Sequence, residues 1–140
     1  MKIILRFVIF ISALSMISLK SDAQLDSVMS ECRSFLDKNY ISDGQQYMSL
    51  ITGDQTAEFS VIFYGGNTYR IIICGGNETS ELMFSLYDKY RNELFKSSDF
   101  NYTNYWDFQF ESTVECFIEA GFSKNINISG FAVILVGLKK

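Results

Sequence analysis

From Ile41 onward the apolar residues come in short alternating runs, and most runs are closed by glycine, asparagine or aspartate. Ala57 to Tyr64 sets Phe59, Val61 and Phe63 against Glu58, Ser60 and Ile62. Thr113 to Ala120 sets Val114, Cys116 and Ile118 against Thr113, Glu115 and Phe117. That two-residue period belongs to half-buried strands. Further strands are expected at Gln45–Ile51, Tyr69–Cys74, Leu82–Asp88, Glu93–Lys96 and Tyr105–Phe110. The last, Gly130–Leu138, is apolar on both faces, as a central strand covered on two sides would be. Ser42-Asp43-Gly44 and Thr52-Gly53-Asp54 read as turns, and the two Gly-Gly-Asn triplets at 65–67 and 75–77 read as hairpin-type connections. About eight short strands and no long helical pattern between them predict an all-β fold. The expected architecture is a jelly-roll-like antiparallel β-sandwich over 41–140 with one N-terminal α-helix.

That helix is expected at 24–40, from Gln24 to Asn39. Leu25, Val28, Met29, Cys32, Phe35 and Leu36 recur at three- and four-residue steps and make one apolar face. Ahead of it, residues 1–23 have the layout of a secretory signal peptide. Lys2 and Arg6 give a basic start, Phe7–Leu19 an apolar stretch, and Ser21-Asp22-Ala23 a cleavage site before Gln24. The apolar stretch is shorter than a membrane span, which needs ~20 residues. The expected mature chain is therefore exported, periplasmic or extracellular, with no span after cleavage.

Removing 23 of 140 residues leaves 117, enough for one domain with one core. Of 12 basic and 16 acidic residues the leader takes three and one, so the remainder carries 9 against 15, a net charge of about −6. Such an acidic domain is a poor binder of nucleic acid. The chain has no histidine, which removes the Ser-His and Cys-His nucleophile pairs and the usual zinc ligand. A carboxylate-based hydrolase is the enzyme class left open, and it is the weakest reading. Cys32, Cys74 and Cys116 are an odd set for an exported chain. Two readings stand: three buried thiols, or one disulfide between Cys74 and Cys116, both of which fall in strands.

The segment from Asp99 to Phe108 concentrates aromatic and amide side chains. Tyr102, Tyr105 and Trp106 could stack on a sugar ring, with Asn101 and Asp107 bonding its hydroxyls. The competing reading turns Trp106, Phe108 and Phe110 into the core and leaves the tyrosines at its margin. Asp88 and Asp99, with Asp107 and Glu111, could offer oxygen ligands to Ca2+, although no EF-hand spacing is present.

One resemblance covers about two thirds of the mature chain. Thr68-Tyr69-Arg70-Ile71, a Gly-Gly-Asn turn, Leu82–Asp88, Asn92-Glu93-Leu94 and the closing Gly130–Val133 follow one another. In this order they are similar to small secreted bacterial β-sandwich domains of the pre-peptidase C-terminal type. In overall style the chain also resembles uncharacterised exported proteins of Bacteroidetes bacteria. The resemblance implies an accessory or binding role and no catalytic residues. The expected function is a non-catalytic binding module for carbohydrate or a protein surface. The alternative is a structural or assembly subunit of an envelope complex, joined through an exposed edge strand to an envelope protein.

Overall fold

A computed structural model describes residues 19–75, 82–123 and 129–140. The leader as far as residue 18, and the second Gly-Gly-Asn turn beyond Gly75, lie outside them. One helix, α1 (Leu19–Ser34), precedes eight strands: β1 (Tyr40–Thr52), β2 (Thr56–Phe63), β3 (Asn67–Gly75), β4 (Leu82–Asp88), β5 (Glu93–Lys96), β6 (Tyr105–Phe110), β7 (Val114–Phe122) and β8 (Ser129–Lys139). Among the described residues no helix is long and apolar enough to cross a membrane.

The strands pair from the outside in. The first pairs with the last, the second with the seventh, the third with the sixth and the fourth with the fifth, all antiparallel. Two further pairings, β3 with β8 and β4 with β7, wrap this long ribbon into two sheets. Sheet A runs β1-β8-β3-β6 and sheet B runs β2-β7-β4-β5. This is jelly-roll wrapping of a β-sandwich. The alternation expected for β2 and β7 holds, with Val61, Phe63, Cys116, Ile118 and Ala120 turned into the space between the sheets. Ile71, Ile73, Phe84, Leu86, Ala132, Ile134 and Val136 are among the residues that meet them there.

Two expected turns have a different role. Ser42-Asp43-Gly44 does not end a strand, because β1 runs through it as a bulge between Ser42 and Gln46. Gly44 takes φ +85° there, a left-handed value that glycine adopts freely, and Asp43 accepts both the backbone N–H and the side-chain amide of Gln45 at 2.8 Å. Gly65-Gly66-Asn67 is not a hairpin, since β2 and β3 belong to different sheets; it carries the chain from one sheet to the other.

α1 lies on the outer face of sheet A. Leu25, Val28, Met29 and Cys32 of α1, with Phe35 and Leu36 just past its end, pack on Ile72 and Cys74 of β3 and Val133 and Leu135 of β8. This is why β3 and β8 are apolar on both faces. The helix ends at Ser34, five residues earlier than its periodicity suggests. Leu36 packs closely over Gly137, where a Cβ would lie 2.4 Å from its side chain and make it shift.

The disulfide joins Cys32 to Cys74, with Cα atoms 5.5 Å apart, and Cys116 is a buried free thiol. The expected Cys74–Cys116 bridge fails on strand parity. Ile71 and Ile73 point inward, so Cys74 points outward to the helix, whereas Cys116 faces the inter-sheet core.

Candidate functional site

β5 and β6 form one lateral margin of the sandwich, and the segment between them crosses it. Ser97–Phe100 makes a single 3-10 turn. The buried Ser97 hydroxyl accepts the Phe84 N–H at 3.0 Å, and its carbonyl accepts the Tyr102 N–H at 2.9 Å. Asn101 and Tyr102 then take φ 56° and 53° in succession. Asparagine tolerates that region, but for tyrosine it is strained by about 1 kcal/mol or more. Beyond it the Asn104 carbonyl accepts the Ile73 N–H at 2.7 Å, and the Thr103 hydroxyl donates to the Tyr105 carbonyl at 3.0 Å. Both ends of the loop are thus fixed, and the strained tip is held between them.

The loop supports an aromatic rim. Phe95 of β5 is buried at its centre, with Phe100 stacked at 5.3 Å, Trp106 at 5.0 Å and Phe108 edge-on at 5.3 Å. Phe100 also meets Trp106 at 4.4 Å and keeps 47 % of its surface exposed. Along β6, Trp106, Phe108 and Phe110 turn inward and are half-buried, while Tyr105, Asp107 and Gln109 face out.

The five residues expected to form one sugar platform are therefore divided. Trp106 packs inward, Tyr105 and Asp107 lie on the outer face, and Asn101 and Tyr102 stand in the loop. Thr103, Tyr105, Trp106 and Asp107 still line one shallow depression of about 370 Å³.

Tyr105 and Asp107 also have a structural partner that sequence reasoning missed. Arg70 of β3 is 8 % exposed on the outer face of sheet A. Its Nε and Nη2 donate to the two Asp107 oxygens at 2.6 and 2.9 Å, a bidentate fork. Its Nη1 donates to the Phe35 carbonyl at 3.0 Å and to Asp37 at 3.1 Å. The guanidinium lies over the Tyr40 ring at 4.1 Å and the Tyr105 ring at 4.5 Å. Hydrogen bonding from Arg70 holds the Asp107 carboxyl below the usual range, and Asp37 is lowered first by the Asn39 N–H and further by Arg70. Burial, then Asp107, pushes the Tyr40 phenol up. The cluster fastens the helix exit to sheet A and occupies one face of Tyr105. The available signal was an arginine inside the otherwise apolar run Tyr69–Cys74.

Asp88, Asp99, Asp107 and Glu111 are not gathered around one point. Among the described residues no three groups of metal-ligating type converge. Asp88 instead accepts the N–H groups of Tyr90 and Asn92 at 2.8 and 2.9 Å, closing the β4–β5 turn, and Asp107 is held by Arg70.

Among the described residues no element covers the outer face of sheet B. Glu58, Ser60 and Ile62 of β2 stand beside Glu115, Phe117 and Glu119 of β7, with Tyr87 of β4 next to Phe117. Arg91 crosses this face, paired with Glu58 through both nitrogens and lying 4.1 Å from the centre of the Phe117 ring. Asp88, Lys89, Tyr90, Thr113, Val114 and Glu115 line a second groove of about 280 Å³ at its end.

Fold and rim together define a small jelly-roll sandwich with a helix fixed to one sheet and an aromatic margin at one side. No family model matches the chain, so the likeness to the pre-peptidase C-terminal type remains one of strand pattern. No curated protein matches it either. Among solved structures it is similar to PliG of Aeromonas hydrophila, a periplasmic lysozyme inhibitor of g-type lysozyme, at 11% identity and TM-score 0.49, over 69% of this chain and 90% of that one. It is likewise similar to the Yersinia pseudotuberculosis-derived mitogen, at 10% identity and TM-score 0.49, over 68% of this chain and 86% of that one.

Proposed function

We propose that this chain is an exported, non-catalytic module that binds a protein surface through the rim of Phe100, Tyr102 and Trp106. The observation that carries the reading is the strained loop. Two successive non-glycine residues hold left-handed backbone, and the loop they form presents Phe100 half-exposed beside Trp106. Strain of this kind persists where the surrounding structure imposes it, and it concentrates at binding sites. A compact aromatic anchor with a polar margin is the composition of a binding hot spot. Asp99, Asn101 and Thr103 supply that margin here. Export rests on the expected leader, and the Cys32–Cys74 disulfide fits an oxidising compartment.

A carbohydrate ligand is the second reading, favoured by the open depression with Thr103, Tyr105 and Asp107 in its lining. Ring geometry favours the first: Phe100 is stacked on Phe95, and Arg70 takes one face of Tyr105.

The test is site-specific photocrosslinking in the producing cells, with the reactive residue at position 100 and, as control, at Asp54. A discrete adduct at 100 and none at 54, lost on Tyr102→Ala, is expected. Identical patterns at the two positions would refute the rim. Thermal unfolding against a panel of soluble glycans decides the second reading, since a ligand at a hundredfold its dissociation constant adds ~2.7 kcal/mol.

A further inference from the structure

The edge strands are not equally protected. Among the described residues four strands have one free edge: β1 and β6 in sheet A, β2 and β5 in sheet B. Natural sandwiches blunt such edges with charge, proline, bulges or short length. β5 is four residues long with an irregular register, β2 carries Glu58, and β6 carries Asp107. β1 is different. Past its bulge it runs regularly from Gln46 to Thr52, without a charged residue, a glycine or a proline. Met48 and Leu50 on its outer face are 45 % and 59 % exposed, although both lie in a regular strand of an eight-stranded core.

We propose that this edge pairs with the same edge of a second copy, antiparallel, about a two-fold axis at Ser49. The sequence Gln46-Tyr47-Met48-Ser49-Leu50-Ile51-Thr52 is self-complementary in that register. Met48 lies opposite the second copy's Leu50, Tyr47 opposite its Ile51, Gln46 opposite its Thr52, and Ser49 opposite Ser49. Each cross-strand pair joins apolar with apolar or polar with polar, and aromatic with β-branched pairs stabilise sheets. The contact is isologous and therefore closes at two copies. The charge argument selects the same stretch. Two copies of a domain with net charge of about −6 repel, and Gln46–Thr52 of β1 is a seven-residue edge that brings no carboxylate into the pairing. Sheet A would continue from one copy into the other as eight strands. The Met48 and Leu50 side chains of both copies would then form one apolar cluster beside α1. The rim of the proposed function lies at the opposite margin, so either inference can fail without the other.

Salt gives the proposal a signature. Screening of the mutual repulsion strengthens this dimer, whereas an interface of ion pairs weakens. The experiment is sedimentation velocity of the purified protein. A strand-to-strand contact lies at the small end of specific interfaces, so the series runs from roughly 5 to roughly 500 µM, in low and in high salt. A monomer–dimer equilibrium that tightens with salt is expected. Leu50→Lys should weaken it by about tenfold or more, with an unchanged far-UV spectrum, because the side chain is exposed. Met48→Glu combined with Leu50→Lys should restore it, since the carboxylate introduced in each copy then faces the ammonium introduced in the other. A monomer throughout the series overturns the proposal. So does a dimer that Leu50→Lys leaves intact, or one that the double variant fails to rescue while it stays folded.

Discussion

The outer faces of the two sheets are built on the same ribbon and end in opposite states. On sheet A, Ile72, Cys74, Val133 and Leu135 make an apolar face, and α1 covers it with a disulfide at the centre. On sheet B, Glu58, Ser60, Ile62, Glu115 and Glu119 face outward, and Arg91 crosses them. The difference can be read at single-residue spacing. β3 and β8 lose their alternation where a third layer lies on them; β2, and β7 as far as Ala120, keep it where no described element lies on them. Broken alternation in a sandwich strand thus marks where the fold is thicker than two layers.

The sharpest way to break the comparison is one charge on each face. Leu135→Asp buries a carboxylate under α1 and should cost about 4 kcal/mol or more, enough to leave little folded protein. Ile62→Asp on the open face should change stability by about 0.5 kcal/mol. Urea titration of the pair measures the contrast; similar losses would mean that sheet B is covered as well.

Removing the cross-link is the next largest step. Cys32→Ser with Cys74→Ser opens a loop of 42 residues and should cost about 2–4 kcal/mol, read as a lower denaturation midpoint. Thiol titration sharpens the assignment. Burial, with Asp88 and Glu115 nearby, pushes the Cys116 thiol up to about 11, so it should be silent in the folded protein and count as one thiol once unfolded without reductant. A count of three would remove the disulfide from the account.

The two arginines give the smallest contrast. Arg70→Ala leaves Asp107 and Asp37 without their cation at the helix exit and should cost about 2 kcal/mol, below the full value for a buried pair because both acids are partly exposed. Arg91→Ala on the open face should leave the midpoint where it is. The pH dependence follows from Asp107 and Asp37. Their folded-state carboxyls are depressed, so their stabilising contribution is present above the ordinary aspartate range near pH 4 and is lost as pH falls through the folded values. The acid limb of the stability profile should therefore be shallower in Arg70→Ala. An unchanged limb would mean that other carboxylates set it.

Much of the fold was legible because alternation and turn residues are local. β4, β5 and β6 have the bounds their patterns suggest, and the six apolar residues read as one helical face are the ones that pack, although Phe35 and Leu36 lie just past the helix end. What escaped depends on contacts distant in sequence. A turn motif at Ser42–Gly44 is absorbed as a bulge because β8 continues to pair on both sides of it. The partner of Cys74 depends on which face of β3 meets the helix, and Cys32 stood on the helical face throughout. At the candidate site the crowding of aromatics was visible, but its division was not. Trp106 inward and Tyr105 outward follow from β6 register, and Arg70 shares a face with Tyr105 only after β3 and β6 pair.

The outside-in pairing has a consequence for how the chain comes to be folded. Tyr40 pairs with Lys139 and Ile51 with Gly130, so the first strand waits for the last. No amino-terminal fragment can close sheet A, and the inter-sheet core lacks Ala132, Ile134 and Val136 until the final segment is available. Contacts this far apart make for slow folding, on a scale of milliseconds to seconds. Under the export proposed above, that delay is useful: the strand that completes the sandwich follows the other seven across the membrane.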